Sequence, residues 1–74
     1  MARRYFTLLA KEPNENWAPQ FGDYDRETVE AERDEYKESI GSTWPKGTKF
    51  SIISTADDQA SIDACVAKLN FKAQ

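Results

Sequence analysis

The chain has 74 residues, a net charge of −3, one cysteine and no histidine. That length makes one domain, residues 1–74, which buries only about 60% of the surface its unfolded form exposes. The lone cysteine excludes an internal disulfide, the missing histidine removes the common zinc sites and Ser/His or Cys/His catalysis, and no apolar run approaches the roughly 18 residues that span a bilayer.

Met1 to Lys11 is interrupted by Thr7 and closed by Lys11. It therefore reads as a strand rather than a secretory segment of about 7–15 apolar residues. Arg4 to Ala10 alternates Tyr5, Thr7 and Leu9 against Phe6, Leu8 and Ala10, and both faces are largely apolar, as in a central strand. Lys11 to Asn16 is a turn, with Pro13 presetting φ and Asn14 and Asn16 tolerating left-handed geometry. Trp17 to Gly22 predicts a second strand. Pro19 cannot donate to a ladder, so that strand belongs at an edge.

Asp23 or Asp25 caps a helix running to about Ser39 or Ile40, ended by Gly41. Val29, Tyr36 and Ile40 line its narrow apolar stripe. Gly41 to Gly47, GSTWPKG, is a loop. Thr48 to Ser54 predicts a third strand. Thr55-Ala56-Asp57-Asp58 matches a capping box, and Ile62, Cys65, Val66 and Leu69 form the apolar stripe of a second helix reaching about Leu69.

The order β-β-α-β-α predicts an α+β fold. A hairpin followed by a right-handed crossover gives a three-stranded, antiparallel-type sheet of order 2-1-3. Both helices are expected on one face, leaving the other face partly open.

Asp23 to Glu38 holds eight acidic and three basic residues, a local charge of −5, so the remainder of the chain carries +2. With Val29 turned inward, Glu27, Asp34 and Glu38 point away from the core, flanked by Glu30 and Glu35. Such a ridge is either a solvated face or a docking surface for a basic protein patch, where opposite potentials speed association. Trp44 either plugs the edge of the core or stands out as an apolar anchor. In the second role it joins Glu27, Glu30, Asp34, Glu35 and Glu38 as a candidate partner-binding residue. Tyr5, Phe6, Trp17, Phe21 and Phe50 are core residues or, on an open sheet face, stacking platforms for single-stranded bases. Cys65 reads as core filling.

The run YFTLLAKEPNENWAPQFGDYDRETVEAERDEY, followed by KFSIISTADDQASIDACVAKLN, resembles small uncharacterised proteins encoded by bacteriophages and prophages. The resemblance rests on the turn from Trp17 to Asp25, on Glu32-Arg33, and on the helix start from Thr55 to Ala64. It implies a viral accessory protein in the host cytoplasm, and it carries no catalytic residues.

Together these readings predict a non-enzymatic adaptor or inhibitor that uses no metal or cofactor, does not enter a membrane, and contacts a protein with a basic surface. Its acidity argues against nucleic acid. One alternative is a nucleic-acid-binding module using the sheet aromatics. Another is a small self-associating structural subunit, so the chain is expected to be a monomer or a weak homodimer.

Overall fold

Leu8 and Leu9 organise the fold. They are neighbours on a strand, so their side chains leave opposite faces, yet each is 0% exposed. Burying each contributes about 1.5–3 kcal/mol, which requires a cover on both sides of the strand.

A computed structural model describes residues 3–73; Met1, Ala2 and Gln74 lie outside the described residues. The elements are β1 (Arg4–Lys11), β2 (Ala18–Asp23), α1 (Arg26–Glu38), β3 (Lys49–Ala56) and α2 (Gln59–Ala73). The sheet order is β2-β1-β3, with both outer strands antiparallel to β1. This is the α+β fold and the strand order that the sequence predicts.

The helices, however, do not share one face. At its two ends α1 meets aromatic rings of the sheet: the Arg26 guanidinium lies 5.9 Å from the centre of the Phe6 ring, and the Tyr36 ring lies 5.9 Å from that of Phe50. Phe50 pairs with Ala10, so it shares the face of Phe6, Leu8 and Ala10. α2 covers the opposite face. Its Ile62 and Gln59 line a cleft with Tyr5 and Thr7, and Ile53 and Thr55, which pair with Thr7 and Tyr5, are buried on the same side. The apolar alternation on both faces of β1 is the physical reason: a one-sided cover would leave Leu9 in water.

Local chemistry sets the ends of each element. Asp25 caps α1, its carboxylate accepting from the Glu27 N–H at 3.1 Å and the Thr28 hydroxyl at 3.0 Å. Val29 is fully buried beneath that helix. Gly41 takes a left-handed φ of 97° just past it. The cap of α2 is Asp58, which accepts from the Ser61 N–H at 2.8 Å and the Ser61 hydroxyl at 2.9 Å. Those bonds hold its carboxyl below the usual aspartate range. Thr55 is not the cap the sequence pattern suggests. It stays in β3, and its hydroxyl donates to the Ala56 carbonyl at 2.7 Å.

The two sheet edges differ. β2 is interrupted where its register with β1 skips Gln20, between the pairs Leu8–Phe21 and Leu9–Pro19. Pro19 therefore sits at an edge bulge, as its missing N–H requires. β3 pairs with β1 without a break from Lys49 to Ala56.

Candidate functional site

The residues that the sequence singles out lie in two separate places. Glu27, Asp34, Glu35 and Glu38 are exposed on the outer side of α1, and Glu30 is half-buried beside them. Arg26 pairs with Glu30 at 3.1 Å, and Arg33 pairs with its neighbour Asp34 at 3.4 Å. These are the two ion pairs among the described residues, so Glu27, Glu35 and Glu38 carry uncompensated charge. The ridge is convex and wet, and it offers a field rather than a pocket.

Trp44 is not on that ridge. Its N–H donates to the Ser39 carbonyl at 3.0 Å, and its carbonyl accepts from the Gly41 N–H at 2.6 Å. These bonds fold the loop back on itself. The half-buried indole ring lies 5.7 Å from Tyr36 and 5.4 Å from Phe50, on the inner side of α1. It closes the lower end of the core and lines a small 120 Å³ cleft with Ala10, Ala18 and Gln20. Of the two roles open to Trp44 in the sequence, the packing is that of a plug.

The other face of the sheet holds the more focused surface. Tyr24 follows β2 and is 41% exposed. The Tyr5 ring meets it edge-on, with centroids 5.1 Å apart and planes at 78°. The Arg3 guanidinium lies 4.1 Å from the centre of the Tyr24 ring. The Tyr24 hydroxyl donates to Asp57 at 3.2 Å, and the carboxylate of Asp57, by its charge first, raises the phenol pKa. Arg4, the next residue, turns to the opposite face of β1 with Phe6, its guanidinium donating to the Ser54 hydroxyl at 3.0 Å and the Ser54 carbonyl at 2.7 Å.

Gly22 makes the Tyr5 placement possible. A Cβ at position 22 would overlap the Tyr5 hydroxyl and ring, so the phenol lies directly on the bare backbone. Beside it opens a cleft of 280 Å³ bounded by Tyr5, Thr7, Pro19, Gln20, Gln59 and Ile62. Thr7 is only 4% exposed, and its hydroxyl has no hydrogen-bond partner among the described residues.

Tyr24 was not among the candidate residues of the sequence, whereas Arg3 and Arg4 stand there at the end of the aromatic strand. The signal for Tyr24 was its place between two aspartates in Asp23-Tyr24-Asp25, where an aromatic ring has no role in capping. A raised phenol is the wrong direction for a base near neutrality. Among the described residues, no group of three or more His, Cys, Asp or Glu side chains could hold a metal ion. Cys65, expected to be buried, is half-buried. No helix of the described residues is long and apolar enough to cross a membrane. No family model, curated protein or solved structure matches this chain.

Proposed function

We propose that this chain is a non-catalytic binding module whose contact point is the aromatic corner formed by Tyr24, Tyr5 and Arg3. Exposed Tyr24, braced edge-on by one ring and carrying a guanidinium, is the observation that supports this reading. Such a unit takes a planar group by stacking and an adjacent phosphate by charge, so its ligand class is single-stranded nucleic acid. The contact is a corner rather than a sheet face, because helices cover both faces. α1 holds six acidic and three basic residues, and Tyr24 itself lies between Asp23 and Asp25 and bonds Asp57, so Arg3 supplies the cation of this corner and stacking its main contact. With the resemblance to phage and prophage proteins, the proposed setting is the cytoplasm of an infected bacterium.

A second reading rests on the uncompensated carboxylates Glu27, Glu35 and Glu38: the outer ridge of α1 docks a protein with a basic surface. One pair of variants separates the two. Binding of a fluorescent single-stranded oligonucleotide is followed by anisotropy at low salt. Under the first reading Tyr24→Ala abolishes it, whereas the triple variant Glu27→Gln, Asp34→Asn, Glu38→Gln leaves it equal or tighter. Under the second reading the triple variant slows association with a basic protein, and Tyr24→Ala does not. An oligonucleotide that binds Tyr24→Ala as tightly as the native chain removes the first reading.

A further inference from the structure

The outer side of α2 carries a second apolar stripe. Ala60, Ala64, Ala67 and Phe71 are all exposed, and Phe71 reaches 79%. At 3.6 residues per turn, their spacings of four, three and four place them within about 60° of arc. The inner stripe of Ile62, Cys65, Val66 and Leu69 lies on the opposite side of the same helix. An apolar face on both sides belongs to a helix packed between two neighbours, and the sheet supplies only one.

The spacing is that of a heptad seam, with Ala60 and Ala67 at d and Ala64 and Phe71 at a. Asp63 then falls at g and Lys68 at e, on opposite flanks of the stripe. Both are exposed, and neither belongs to an ion pair among the described residues. Gln59 donates to Asp63 at 2.8 Å, which satisfies one oxygen but leaves the charge. In a parallel pair of identical helices, g of one faces e of the other five residues further on. Asp63 of each copy therefore meets Lys68 of the other, twice by symmetry. Antiparallel packing sets g against g and offers Asp63 no cation.

We propose that the outer face of α2 pairs in parallel with the same face of a second copy of this chain. Alanines at three of the four seam positions let the helices approach closely, and the two Phe71 rings close the end of the seam. The 15-residue helix is about 22 Å long, so the contact is small and the association weak. This surface is independent of the aromatic corner.

Sedimentation equilibrium tests it. The native chain is expected to dimerise at about 0.1–1 mM. Phe71→Glu should weaken the dimer about tenfold or more, with an unchanged circular dichroism spectrum because the residue is exposed. Asp63→Lys and Lys68→Asp should each weaken it about fivefold, by setting like charges together. Combining them restores opposite charges at both contacts and should return the native affinity to within about twofold. A native chain that stays monomeric up to about 1 mM overturns the proposal. So does a dimer indifferent to Phe71→Glu, which would be held elsewhere, or a double variant no tighter than the single ones. Tyr24→Ala should leave the dimer untouched, so failure of this pairing and failure of the aromatic contact are separate results.

Discussion

Helices α1 and α2 each lay an apolar stripe on the sheet, but their outer faces carry opposite chemistry. α1 ends its apolar surface at Val29 and Tyr36 and turns carboxylates to water. α2 repeats apolar residues on its far side, at Ala60, Ala64, Ala67 and Phe71. The inner faces answer to the same demand, because β1 is apolar on both sides and each Leu needs a cover. Two helices with equivalent structural duties thus differ in the surface they show to water: carboxylates on α1, and Ala60, Ala64, Ala67 and Phe71 on α2.

The largest test of that equivalence is in the core. Leu8→Ala and Leu9→Ala should each cost about 2–5 kcal/mol in chemical denaturation, since each creates a cavity under a different helix. A Leu9 variant costing much less would mean that α2 is not a true counterpart of α1. Gly22→Ala comes next. Its new Cβ must displace Tyr5 from the backbone it lies on, and the expected loss is about 1–3 kcal/mol. Loss of the Tyr5–Tyr24 contact would show in the near-ultraviolet circular dichroism of the same sample.

The start of α2 gives a smaller effect with a defined pH window. The Ser61 bonds lower the Asp58 pKa in the folded chain, so their stabilisation is present above the unfolded carboxyl value of about 3.9 and disappears as pH falls through the folded one. Asp58→Ala should lower the melting temperature at neutral pH and flatten the acid limb of its pH profile. An equal destabilisation at pH 7 and at pH 2 would contradict the cap. Tyr24 behaves in the opposite sense. Its pKa is raised, so the stabilisation linked to it is complete below about 10 and is lost as pH rises through the folded value. Asp57→Asn removes the principal cause, and spectrophotometric titration should find the Tyr24 phenol nearer its ordinary value. The smallest effect belongs to α1: Glu27→Gln, Asp34→Asn and Glu38→Gln should each change stability by about 0.5 kcal/mol or less. A larger loss would show that the ridge is structural after all.

Much of this architecture is legible in the residues. The alternation in β1, the proline in β2, the aspartate before α1 and the glycine after it each report a local requirement, and local requirements fix elements and strand order. The side on which α2 lands was also written in Leu8-Leu9, two adjacent apolar residues on one strand, but it depends on which long-range cover is satisfied. The cap of α2 was misplaced because Thr55 and Asp58 fit the same short pattern, and continued pairing with Tyr5 keeps Thr55 in the strand. The aromatic corner was not legible. Tyr5, Tyr24 and Asp57 lie far apart in the chain and meet only once the sheet is assembled. The outer stripe of α2 was present in the periodicity, but small residues such as alanine weigh little beside Ile62 and Leu69.

Trp17 and Trp44, the two tryptophans of the chain, stand at different joints. Asn70 near the end of α2 clasps the Trp17 backbone, accepting from its N–H at 2.7 Å and donating to its carbonyl at 3.3 Å. Trp44 is packed against Tyr36 and Phe50 beneath α1. The chain therefore contains two intrinsic optical gauges, one for each helix. With Trp44 replaced by phenylalanine, emission would follow the undocking of α2; with Trp17 replaced, it would follow the opening of the loop under α1. Unfolding curves from the two variants would coincide if the sheet binds both covers into a single cooperative unit, and would separate if one helix can lift while the other stays down.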